Sequence, residues 1–190
     1  MTTPSDLEQL LGDLLRLGTI ASVDHAAATC RVQTGEILTG PLPWLAPRAG
    51  GVAVWSPPHV GEQCLLLCPE GDTLAGLVLV GLFSNSFPAP ASDPELVLVQ
   101  FPDGAQLGYH FGTHRLEAVL PSGGTAHVAA DGGLTIMGDV TITGNVSIEG
   151  NATATGTVTG ETDVIGASIS LKGHTHGGVA AGSAKTGGPE

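Results

Sequence analysis

From Gly138 onward the chain is punctuated by glycines six residues apart: Gly138, Gly144, Gly150 and Gly156, then a four-residue unit ending at Gly160 before Gly166 restores the spacing. Between them apolar side chains fall on alternate positions: Val140, Ile142, Val146 and Ile148, then Ala152 and Ala154. Asp139, Asn145 and Asn151 follow the first three glycines. A period of two gives a strand one apolar face. Units this short cannot enclose a core by themselves, and no aromatic residue follows Phe111 to fill a wide interior. Such units are stabilised by stacking or by other chains. A single-chain solenoid needs more coils than this tract of about 40 residues offers. Three identical chains wound about one axis would bury three apolar faces together and leave no strand edge open. Glycines would then mark the corners, where Asn and Asp tolerate the turn geometry. The pattern predicts an intertwined trimeric β-prism. Low-complexity disorder is the alternative; Gly and Thr content favours it, and the regular β-branched apolar residues oppose it.

Upstream the texture changes twice. "TPSDLEQLLGDLLRLG" carries Pro4-Ser5-Asp6 as a start signal, a capping-box spacing from Ser5 to Glu8, and Gly18 as a stop. Its leucines form one broad stripe, which predicts a helix over 1–18 that either packs on its own domain or docks a partner. Residues 19–92 alternate short β-like runs with Gly and Pro turns: "GTIASVD", "TCRVQTG", "GVAVWSP", "EQCLLLCPEGD" and "AGLVLVGLFS". Five such runs predict a small antiparallel barrel of the OB type, with Trp44, Trp55, Phe83 and Phe87 as its bulky core. "PEGD" (69–72) reads as a hairpin turn. From 96 to 132 further strand-like pieces follow one another, "ELVLVQFPDG", "AQLGYHFG", "HRLEAVLPSGG" and "TAHVAADGG", and lead into the repeat.

Charge narrows the function. The chain has 6 Lys and Arg against 18 Asp and Glu, a formal net charge of −12. The cations are scattered, so neither a phosphate-tracking surface nor attraction to an anionic membrane is expected. No charged-then-apolar N-terminal run predicts a signal peptide, and no apolar run of about 18 residues predicts a spanning helix. Three cysteines, Cys30, Cys64 and Cys68, make an odd count. Cys64 and Cys68 flank "LLL" in a strand-like run, roughly 13 Å apart when extended, against the 7 Å limit of a disulfide. Buried structural thiols and synthesis in the cytoplasm are expected.

"SLKGHTHGGV" (170–179) places His174 and His176 on either side of one threonine. On an extended segment both side chains point the same way. Three chains meeting on an axis would bring six imidazoles to one point. Six nitrogens suit an octahedral ion, iron(II) or nickel(II), better than zinc with its four tetrahedral ligands. With every position filled, the metal would be structural, not catalytic. The alternative is an exposed loop whose two histidines bind nothing. His25, His59, His110, His114 and His127 lack ligand-like spacing; "LGYHFGTHRL" reads as strand–turn–strand, so His110 and His114 are not a helical pair. No phosphate-binding loop, no G-x-S-x-G and no paired-carboxylate arrangement stands out, so no enzyme and no small-molecule substrate is expected.

These residues resemble the central spikes of contractile phage tails, the baseplate assembly protein V family of P2-like phages, related to the spikes of R-type bacteriocins and type VI secretion machines. "WSPPHVGEQCLLLCPEGDTLAGLVLVGLFS" (55–84) is similar to the family's OB-fold segment. "FPDGAQLGYHFGTHRLEAVLPSGG" (101–124) resembles its transition into the β-helix, the repeat resembles its triple-stranded β-helix, and "HTHGG" resembles its apex motif. The four-residue unit "TVTG" departs from the pattern. The resemblance implies an all-β protein divided into an N-terminal helix (1–18), an OB-fold domain (19–92), a triple-stranded β-helix (93–172) and a metal-binding tip (173–190). It implies one iron ion held by His174 and His176 of three chains. It also implies a homotrimer in the virion baseplate, in contact with other baseplate and tail-tube proteins and transiently with the host outer membrane, which it pierces as the sheath contracts. A trimeric receptor-binding fibre or adhesin is the alternative. Such a fibre needs exposed aromatics or a similar recognition surface at its tip, which the C-terminal tract lacks.

Overall fold

The computed structural model describes residues 12–175, 178 and 182, and the chain divides into two units, 1–128 and 129–190. Eleven strands occur among the described residues, with one short 3-10 turn at Pro69–Gly71 and helical residues only at 12–14. The protein is all-β. Most of the expected N-terminal helix lies outside the described residues. Its expected end at Gly18 is corrected: strand β1 begins at Leu15, because Leu15–Thr19 pair in register with Leu67–Gln63. Strand pairing there overrides the helical stripe.

The first sheet is built from β1 (Leu15–Asp24), β2 (Thr29–Thr34), β3 (Ile37–Leu38), β4 (Leu42–Pro43), β5 (Gln63–Leu67) and β6 (Leu77–Leu82). Its order is β3-β2-β1-β5-β6, with β4 also paired to β2. All the pairings are antiparallel, and β1 carries a register shift between Ile20 and Ser22, which bends it. Closure comes from Trp44, just after β4, which bridges to Val78 of β6; the Leu45 N–H donates to the Val78 carbonyl at 2.8 Å. The two ends of the sheet therefore meet, as in an OB barrel.

Alternation sets the core. Cys30 and Val32 on β2, and Cys64 and Leu66 on β5 with Cys68 just beyond, point inward with Ile20, Leu42 and Val78. The space is tight: a Cβ on Gly18 would sit 2.4 Å from Val32 Cγ1 and 3.0 Å from the Gln33 carbonyl oxygen. The two buried threonines are satisfied by the backbone: Thr34 Oγ1 donates to the Leu17 carbonyl at 2.8 Å. Thr39 Oγ1 accepts from the Val32 N–H at 3.0 Å and donates to the Gly40 carbonyl at 2.8 Å. Glu62 ties the β5 entry to β6, accepting from the His59 N–H at 3.0 Å and the Gly81 N–H at 3.1 Å.

Two expectations for this barrel are corrected. "GVAVWSP" (51–57) forms no strand; only Ala53 makes an isolated bridge, to Ala49, and the short β3 and β4 supply the missing pairings. The aromatic core is also absent: Trp55, Phe83 and Phe87 are exposed, and only Trp44 packs partly against the core. A barrel this narrow is filled by aliphatic side chains and thiols, while Trp55 leans on Trp44 with ring centroids 5.7 Å apart.

A three-stranded antiparallel meander follows: β7 (Leu96–Gln100), β8 (Gln106–His110) and β9 (Arg115–Val119). Asp103 caps the first turn through the Ala105 N–H at 3.0 Å. His110 holds the second: its Nδ1 accepts from the Thr113 N–H and its Nε2 faces Asp93, both at 3.2 Å. The strand expected within "TAHVAADGG" (125–133) is not formed.

Residues 134–163 carry no strand or helix and, among the described residues, make no backbone–backbone hydrogen bond within the chain. Val140, Ile142, Val146 and Ile148 are 57, 62, 59 and 60% exposed. Gly138 and Gly144 adopt φ of 130° and 137°, backbone that a side chain rarely tolerates.

Candidate metal centre in the C-terminal segment

After the repeat the chain closes on itself once. β10 (Ile165–Gly166) and β11 (Ile169–Ser170) form a minimal hairpin, pairing Ile165 with Ser170 and Gly166 with Ile169. Its two turn residues, Ala167 and Ser168, both have positive φ, 47° and 67°. This is the primed turn that matches strand twist. A further backbone bond runs from the Leu171 N–H to the Val164 carbonyl at 2.9 Å.

Asp163 clamps the base of the hairpin. Its Oδ1 accepts from the Val164 N–H at 2.8 Å and from the Lys172 N–H at 3.3 Å. The Ser170 hydroxyl also binds this carboxylate. That bond, then those from the Lys172 and Val164 backbones, holds the Asp163 carboxyl below its usual value despite an opposing loss of hydration. Ser170 Oγ in turn accepts from the Gly173 N–H at 2.9 Å.

His174 is fixed by the same residue. Its backbone N–H donates to the Ser170 carbonyl at 3.1 Å, and its ring Nδ1 lies 2.9 Å from that oxygen. A carbonyl oxygen can only accept, so Nδ1 carries a proton, and in the neutral ring Nε2 is the nitrogen able to ligate. A metal-binding imidazole is typically arranged in this way, with one nitrogen donating to a carbonyl and the other ligating. His174 therefore fits a metal through Nε2. His176 lies outside the described residues. Among the described residues no three His, Cys, Asp or Glu side chains form a metal-sized group.

The sequence singled out His174 but missed Asp163 and Ser170. No spacing rule links an Asp and a Ser seven residues apart; only the hairpin brings them together. The barrel thiols stand apart from any site: Cys30, Cys64 and Cys68 are free and buried. Burial, with smaller contributions from Cys30 and Glu62, pushes the Cys64 thiol up to about 11.

The chain thus joins a closed OB barrel to a glycine-punctuated tract and a C-terminal hairpin that carries His174. Residues 16–83 match the type VI secretion system/phage-baseplate injector OB domain, and residues 168–190 match the GpV apex motif. Over 139 residues the chain is 38% identical to the spike protein of Escherichia phage P2, a match covering 71% of this chain and 64% of that relative's length. In its OB domain, in its apex motif and across this aligned stretch the chain is similar to the GpV-like phage baseplate spikes.

Proposed function

We propose that this chain is the central spike of a contractile phage-tail baseplate, a mechanical part of the virion that pierces the host outer membrane when the sheath contracts. Three copies intertwine from residue 93 to residue 172 as a triple-stranded β-helix. His174, through Nε2, and His176 of the three chains hold one iron ion at the tip. The iron would supply a cross-link among the three chain ends and no reaction. Partners are the other baseplate and tail-tube proteins, with the outer membrane met only in passage.

One observation carries this reading. Among the described residues, 134–163 make no backbone–backbone hydrogen bond within their own chain and leave an alternating row of Val and Ile exposed. Backbone groups and apolar side chains that go unmatched together are matched in a β-assembly of several chains. The Nδ1-protonated ring of His174 supports the metal at the tip. The likeness to the spike protein of phage P2 supports the baseplate role. The test is native mass together with elemental analysis of untagged protein. A trimer with about one-third of an iron atom per chain is expected from one shared ion. A metal-free trimer would remove the iron and leave the prism, and a monomer would overturn the assembly.

A further inference from the structure

We infer that Asp163 and Ser170 are positioning residues for the tip metal: through the β10–β11 hairpin they fix His174 in the Nδ1–H tautomer, with Nε2 as its ligating atom. This rests on the metal reading above. The argument is geometric. The Ser170 carbonyl receives two donors from His174, the backbone N–H at 3.1 Å and ring Nδ1 at 2.9 Å. The tautomer therefore depends on where that carbonyl points. The same residue is held from its side chain: Ser170 Oγ accepts from the Gly173 N–H at 2.9 Å and its hydroxyl meets the Asp163 carboxylate, which ties the carbonyl's residue to the hairpin base. Asp163 in turn grips both strand ends, through Val164 before β10 and Lys172 after β11. Lys172 Nζ adds a weaker contact to the Thr162 carbonyl at 3.4 Å.

The chain of contacts runs Asp163 carboxylate, Ser170 hydroxyl, Ser170 carbonyl, His174 Nδ1–H. Loosening either of the first two frees the imidazole to rotate or to move its proton to Nε2, where a proton excludes a metal. Outer-shell groups of this kind typically change metal affinity about 10- to 100-fold. A purely structural hairpin would alter folding and leave the ring tautomer untouched.

The experiment uses the full-length chain and its Asp163→Ala, Asp163→Asn, Ser170→Ala and His174→Ala variants. Oligomeric mass is checked for each. Iron retention is measured against a competing chelator, and the ring nitrogens of metal-stripped protein are read by nitrogen-15 NMR. Asp163→Ala and Ser170→Ala should lose iron at about 10-fold lower chelator concentration or less, with unchanged mass and a mixed His174 tautomer. Asp163→Asn, which keeps an oxygen acceptor, should recover most of the retention. Parental retention and an intact Nδ1–H signal in Asp163→Ala and Ser170→Ala, with iron lost only in His174→Ala, would overturn this inference and spare the metal reading. Absence of iron from the parent would overturn both.

Discussion

At the scale of single residues, the barrel thiols make the sharpest statement. Cys64 is fully buried in the barrel core, and burial holds its thiol near 11 against the usual 9.0. The folded thiol holds its proton more tightly than the unfolded thiol, which ionises more readily, so the bound proton favours the fold. That contribution is complete below about pH 9 and is lost as pH rises through about 11. Thermal melts between these limits should show falling stability, and Cys64→Ala should flatten part of the fall. Thiol reagents should leave all three cysteines unmodified near pH 8 until the chain is denatured, because the thiolate is the reactive form. The odd cysteine count and the period-two spacing made this much legible in the sequence. The aromatic residues were not legible in the same way. Trp55, Phe83 and Phe87 are as apolar as any core residue, yet exposed in the chain. Hydropathy says that a side chain can be buried; the volume available decides whether it is.

At the scale of elements, the strands with strict alternation, such as "TCRVQT" and "QCLLL", lie where their pattern put them. The failures have local causes. "GVAVWSP" lacks a neighbour to pair with, and the leucine stripe before Gly18 loses its last residues to pairing with β5. The β10–β11 hairpin was hidden for another reason. Its turn is Ala167-Ser168, not the Asn-Gly that announces a primed turn, and both residues hold positive φ without the freedom of glycine. That strain predicts a gain: Ser168→Gly should stabilise the hairpin by about 1 kcal/mol. Slower hydrogen exchange at the Leu171 N–H would report it, and unchanged exchange would speak against a strained turn. The repeat invites a complementary test. Ile142 and Thr141 are neighbours on opposite faces of the alternation, so Ile142→Asp should collapse the trimer and Thr141→Asp should not. Sedimentation would distinguish them, and equal behaviour of the two would remove the case for one buried face.

At the scale of the whole molecule, the proposed trimer would be held together by two devices, and they are unequal. One would be the single ion proposed at the C-terminal end. The other is the row of Val and Ile side chains along the repeat, more than half exposed in one chain. Each Val or Ile moved from water into an apolar interior stabilises by roughly 1.5–3 kcal/mol. In the proposed trimer every chain would contribute several, and the backbone of 134–163 would add inter-chain hydrogen bonds in the same step. Ordering the tract opposes this at about 1–2 kcal/mol per residue, so the net gain is far smaller than the gross one. It is nonetheless spread along the tract, whereas the ion acts only at the tip, where chain ends otherwise fray. Removing the metal should therefore loosen the tip without dissociating the trimer. After chelation the protein should keep its native mass while the segment beyond Val164 becomes open to proteolysis, and restoring iron should protect it again. Dissociation to monomers on chelation would reverse the order of importance and make the ion, not the repeat, the device that holds the spike together.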